Sequence, residues 1–138
     1  MGNVIIINKN IIELQAKSHG YHNDTSWTLD MDDIKIIGAV SRMAGDDDSF
    51  FIILVDHKMK LYIVNTTYLE DGRAALFTLL ESKFEIDILH WERSIEDEDV
   101  VLYPQEHKGK KLYKFNLLHF IKRITGFVNI ASGSLSSL

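Results

Sequence analysis

The chain has 138 residues, 46% of them hydrophobic and 25% charged, which suits one soluble globular core and excludes a disordered polymer. It has no cysteine, so disulfides, thiolate metal sites and thiol nucleophiles are excluded together, and a reducing, cytoplasmic setting is expected. The net charge of -5 is unevenly spread: residues 10–107 carry 20 acids against 8 bases, whereas residues 108–138 carry 6 bases and no acid. An acidic body of this kind repels nucleic acid and attracts a basic partner.

Taken in chain order, the apolar runs 4–7 and 11–14 flank Asn8-Lys9-Asn10 and predict a hairpin or a strand broken by a bulge. No basic region precedes the first run, so it does not read as a signal peptide, and no stretch approaches the roughly 20 apolar residues of a membrane span. Residues 18–26 read as a polar loop. Trp27, Leu29 and Met31 then alternate with polar residues as in a half-buried strand, and the β-branched run 34–40 predicts another.

Gly45 and the three aspartates Asp46, Asp47 and Asp48 predict an exposed turn, because three adjacent carboxylates cannot be buried together. The apolar run 50–55 suits a strand covered on both faces, and residues 57–60 connect it to a second strand at 61–64, giving a hairpin at the centre of a sheet.

From residue 71 to 84 the period changes: Leu76, Leu79, Leu80 and Phe84 stand at helical spacing. Thr67 and Glu70 spell a capping box, but Gly72 would weaken a helix interior by roughly 1 kcal/mol, so a start at Asp71-Gly72 is preferred. Ile86, Ile88 and Trp91 suit a short strand or packed loop, residues 94–99 an acidic connection, and residues 100–103 a strand ended by Pro104, the only proline. Residues 110–115 precede a second predicted helix with the stripe Leu117, Leu118, Ile121, Ile124 and Val128, and residues 131–138 look frayed. The whole chain reads as a single domain, 1–138, without repeats.

Candidate chemistry is sparse. His19 and His22 with Asp24 could share a metal ion, but structural zinc usually needs four ligands and the remaining histidines are scattered, so no metal and no cofactor is expected. Asp46-Asp47-Asp48 lacks the alternating ligands and closing acid of a calcium loop. There is no Gly-x-Ser-x-Gly elbow, Walker loop or dinucleotide fingerprint, and no catalytic residue is assigned. The basic segment Lys108, Lys110, Lys111, Lys114, Lys122 and Arg123 is interleaved with Tyr113, Phe115 and Phe120; its expected role is to balance the acidic body, so neither nucleic acid nor membrane is expected as a partner.

One order of features is familiar: Asp33-Ile34-Lys35-Ile36-Ile37-Gly38, then Asp47-Asp48-Ser49-Phe50-Phe51, a hairpin, a helix, Val101-Leu102-Tyr103-Pro104 and Gly109-Lys110-Lys111-Leu112-Tyr113. Over residues 33–115 this resembles small, largely uncharacterised bacterial α+β proteins, some of them immunity-like. The resemblance implies a stand-alone domain and transfers no catalytic residue. Ala39-Val40 departs from it, since an acidic residue often follows the glycine in that group.

These observations predict an α+β fold: a twisted antiparallel sheet of five to six strands with one central and one C-terminal helix, or alternatively a pleckstrin-homology-like barrel with a capping helix. The expected function is that of a non-enzymatic protein-binding module, an immunity or antitoxin-like protein that meets a basic toxin. The expected contact residues are Asp46, Asp47, Asp48, Glu92, Glu96, Asp97, Glu98 and Asp99. Two alternatives are a small metal-dependent or hydrolytic enzyme using His19, His22 and Asp24, and a structural subunit that forms a homodimer through an exposed sheet edge.

Overall fold

The computed structural model describes residues 3–16, 26–42, 49–92 and 98–112. Within them the apolar residues of period two pair into two sheets of four strands, and the architecture is α+β with few helices. The first sheet has the order β3-β2-β1-β7, built from β1 (Asn3–Asn8), β2 (Ile11–Gln15), β3 (Trp27–Asp30) and β7 (Leu69–Asp71). The second has the order β6-β5-β4-β8, built from β4 (Ile34–Arg42), β5 (Ser49–Asp56), β6 (Leu61–Asn65) and β8 (Glu98–Tyr103). All pairings are antiparallel except that of β1 with β7.

The expectation of one five- to six-stranded sheet is therefore corrected to two. Alternation shows which face of a strand is buried, but not which neighbour the strand joins. Two of the three changes of sheet between described strands are made at short 3-10 turns of the same design. At Met31–Asp33, Oδ1 of Asp30 accepts the Asp32 N–H at 2.9 Å; at Thr66–Tyr68, Oδ1 of Asn65 accepts the Thr67 N–H at 3.2 Å. In each, a short polar side chain satisfies a backbone donor at the corner, which lets the chain leave one ladder and enter the other.

The inner faces of both sheets meet in a shared core. Ile5, Ile12, Leu14 and Leu29 from the first join Ile37, Ile52, Leu54, Val64 and Leu102 from the second. Trp27 and Tyr62 meet edge to face across the gap, with ring centroids 5.4 Å apart. The amphipathic segment forms α1 (Arg73–Phe84), which buries Leu76, Phe77 and Leu80 in the same core. Gly72 stands before it at φ +90°, where a Cβ would lie 2.1 Å from the Ile5 carbonyl oxygen, so only glycine fits. The later of the two anticipated starts is thus the observed one, and Thr67 and Glu70 lie in the 3-10 turn and in β7. Ile86 and Ile88 form a packed connection to the single turn α2 (Leu89–Glu92).

The β5–β6 hairpin forms as expected, but among the described strands β6 lies at an edge of its sheet, while β4 and β5 are central. Its turn is held by the buried Asp56, whose carboxylate accepts N–H bonds from Lys58 and Lys60 and the Tyr62 hydroxyl, each at 2.9 Å. Burial opposes ionisation of Asp56, but these donors outweigh it and hold its carboxyl below the ordinary carboxylate value. Burial, together with the neighbouring Asp56 charge, pushes the Tyr62 phenol up. The predicted C-terminal helix, the His19, His22 and Asp24 loop and the Asp46 to Asp48 turn lie outside the described residues. No helix among the described residues is long and apolar enough to cross a membrane.

Candidate functional site

Where β4 begins and β8 ends, the two ladders that β4 makes loosen. The β4–β5 register shifts between Ile34 and Ile36, and the β4–β8 register shifts between Ile37 and Gly38. Such bulges re-aim side chains at the rim of a sheet. Tyr103 closes β8, a cis peptide joins it to Pro104, and a 3-10 turn (Gln105–His107) follows. The end of α1 approaches from the other side, where the Phe84 and Tyr103 rings meet edge to face at 4.8 Å.

Two open hollows adjoin at Ile34 and Tyr103. The larger, of about 420 Å3, is lined by Met31, Asp32, Lys83, Phe84 and Glu85 as well as those two. The smaller, of about 240 Å3, adds Lys35, Ile36, His57, Pro104, Glu106 and His107. Met31, Ile34 and Ile36 are buried beneath the hollows, Phe84, Tyr103 and Pro104 are half-exposed within them, and the rim carries three carboxylates, two ammonium groups and two imidazoles.

Part of the rim is held in place. Lys83 Nζ donates to Asn10 Oδ1 at 2.8 Å and pairs with Asp32 at 3.4 Å, and Asn10 Nδ2 donates to Asp30 Oδ1 at 2.6 Å. This chain of contacts ties the end of α1 to the β1–β2 turn and to the first 3-10 corner. At the smaller hollow, Nδ1 of the lining residue His107 lies 3.2 Å from Lys110 Nζ. His57 reaches the same hollow from the β5–β6 turn.

Among the described residues no three His, Asp or Glu side chains gather as a metal site. The half-exposed rings of Phe84 and Tyr103 offer an apolar contact, and a rim of both charge signs can orient polar neighbours around them.

None of the expected contact residues that are described lines either hollow. Asp46, Asp47, Asp48, Glu96 and Asp97 lie outside the described residues. Glu92 is the last residue of α2, and Glu98 opens β8 opposite Ser41. Asp99 is half-buried on the sheet, and its carboxylate accepts the Leu112 N–H at 3.0 Å. Of the groove residues, Lys35, Lys83, Glu106 and His107 were not anticipated as a site, and Tyr103 stood out only as one of several aromatic residues able to anchor a partner.

No family model, curated protein or solved structure matches the chain. Geometry alone therefore bears on function.

Proposed function

We propose that this chain is a non-enzymatic protein-binding module that seats a segment of a basic partner in the groove around Tyr103, as an immunity protein covers a toxin. The observation that carries this reading is the pair of hollows sharing Ile34 and Tyr103, with half-exposed aromatic rings inside a charged rim. Protein interfaces have that anatomy, and tyrosine is among the residues that dominate their energy. Asp32, Glu85 and Glu106 outnumber Lys35 and Lys83 at the rim, and the acidic body extends the attraction to longer range. In this reading Asp46, Asp47, Asp48, Glu92, Glu96, Asp97, Glu98 and Asp99 steer the encounter and the groove holds the partner. The same reading places the protein in the cytoplasm and keeps the stripe from Leu117 to Val128 as a second helix.

The test is photo-crosslinking in the native host, with the reactive residue introduced at Glu106 and, as a control, at the exposed Thr28 of β3. The expected result is one basic protein attached at Glu106 and not at Thr28, with the yield falling when Tyr103→Ala is added. Adducts between two copies of the chain would replace the reading with a self-associating subunit. Equal capture at both positions, or none, would overturn it.

A further inference from the structure

The outer face of the second sheet is as apolar as its inner one. Ile36 and Val40 of β4, Ile53 and Val55 of β5 and Val101 of β8 form a second apolar cluster, bordered by Phe51, Leu61 and Ile63. In register, Ile63, Ile53, Gly38 and Val101 make one row across all four strands. Val40, Ile53, Val55 and Val101 are each 0% exposed, yet among the described residues only Leu112 joins this cluster from outside the sheet. One leucine cannot cover a face four strands wide.

Leu112 shows where the covering chain comes from. Its side chain occupies the space that a Cβ on Gly38 would need, with Cδ2 2.5 Å from that position, and its N–H is fixed by Asp99. The backbone leading to it is paired along the β8 edge, through Val101 N–H to Lys110 O at 2.8 Å and Gly109 N–H to Val101 O at 2.9 Å. The chain therefore passes position 112 seated at the middle of this face, with residues 113–138 still to follow.

We propose that residues 113–138 are the cover of this face, lying across the second sheet with Leu117, Leu118, Ile121, Ile124 and Val128 against it. The dimensions match. A helical stripe from Leu117 to Val128 is roughly 17 Å long. Four strands at their usual spacing are about 15 Å across. The charges match as well, since the 6 bases and no acid of residues 108–138 adjoin a body with 20 acids against 8 bases in residues 10–107. The inference goes beyond the binding role: it concerns a different face and stands whether or not the groove takes a partner.

The test uses the full chain, whose lack of cysteine allows a single spin label at Arg123→Cys, a position opposite the apolar stripe on a helical wheel. In the isotope-labelled protein, the amide signals of Gly38, Ile53 and Ile63 are expected to lose intensity several-fold, while those of Glu13 and Thr28 on the first sheet persist. A second sample mixes isotope-labelled chain lacking the spin label with unlabelled chain carrying it. Broadening of Gly38 and Ile53 in that mixture would show that a second copy covers the face and would overturn the proposal. Unbroadened signals in both samples would overturn it equally.

Discussion

The two sheets have the same number of strands but are used differently. On the outer face of the first, Val4 and Ile6 of β1 alternate with inward residues and stand beside Glu13 and Gln15 of β2; Ile6 is 39% exposed, as suits a face open to water. On the outer face of the second, Ile53 is 0% exposed, although it too is an isoleucine in a paired strand. The difference is already written in the strands: β2 reads IIELQ and β5 reads SFFIILVD. A strand with one wet face alternates, whereas a strand covered on both faces is continuously apolar. The second sheet thus buries apolar residues on both faces, whereas the first leaves Ile6 open to water.

The sharpest way to break this comparison is to truncate one residue on each outer face. Ile53→Ala is expected to cost about 2–5 kcal/mol and Ile6→Ala less than about 1 kcal/mol, read from denaturant midpoints. Equal losses would mean that the two faces are not differently covered.

The next effect separates two glycines. Gly72→Ala places a Cβ against the β1 backbone at positive φ and is expected to destabilise by about 3 kcal/mol. Gly38→Ala meets only the end of the Leu112 side chain, which can rotate, and is expected to cost about 1–2 kcal/mol. A reversed order in thermal unfolding would show that the Leu112 seat is the more rigid of the two.

The smallest effect is at the β5–β6 turn of the second sheet. The Asp56 carboxyl is depressed in the folded state, so its stabilisation is fully present above its ordinary value of 3.8 and is lost as pH falls below that value. Asp56→Asn is expected to cost about 1–2 kcal/mol at neutral pH. It should also flatten the dependence of stability on pH below 3.8, measured by urea unfolding at a series of acidic pH values. An unchanged slope would assign the acid sensitivity to another carboxylate.

Much of the fold was legible because its signals are local. The Lys9-Asn10 turn between two apolar runs, the Gly72 start of α1 and the end of β8 at Pro104 each rest on a few adjacent residues. Phe77 was not anticipated in the helix stripe, yet it is buried beside Leu76. The division into two sheets was harder to see, because Asp30 and Asn65 look like ordinary polar residues until their side chains are found capping the 3-10 corners. The groove was not legible at all. Its walls come from the first 3-10 turn, the end of α1, the β5–β6 turn and the end of β8, which are far apart along the chain.

Residue order alone determined the α+β composition, the faces of most strands, the position of α1 and the opposed charges of body and tail, because each depends on periodicity or local backbone preference. Only the tertiary structure decided that the strands divide into two sheets, that β6 lies at an edge among the described strands, that Asp99 is tied to Leu112 and that Tyr103 stands between two hollows. Those facts depend on which distant segments pack together, and burial can be satisfied by several pairings until the whole core closes on one.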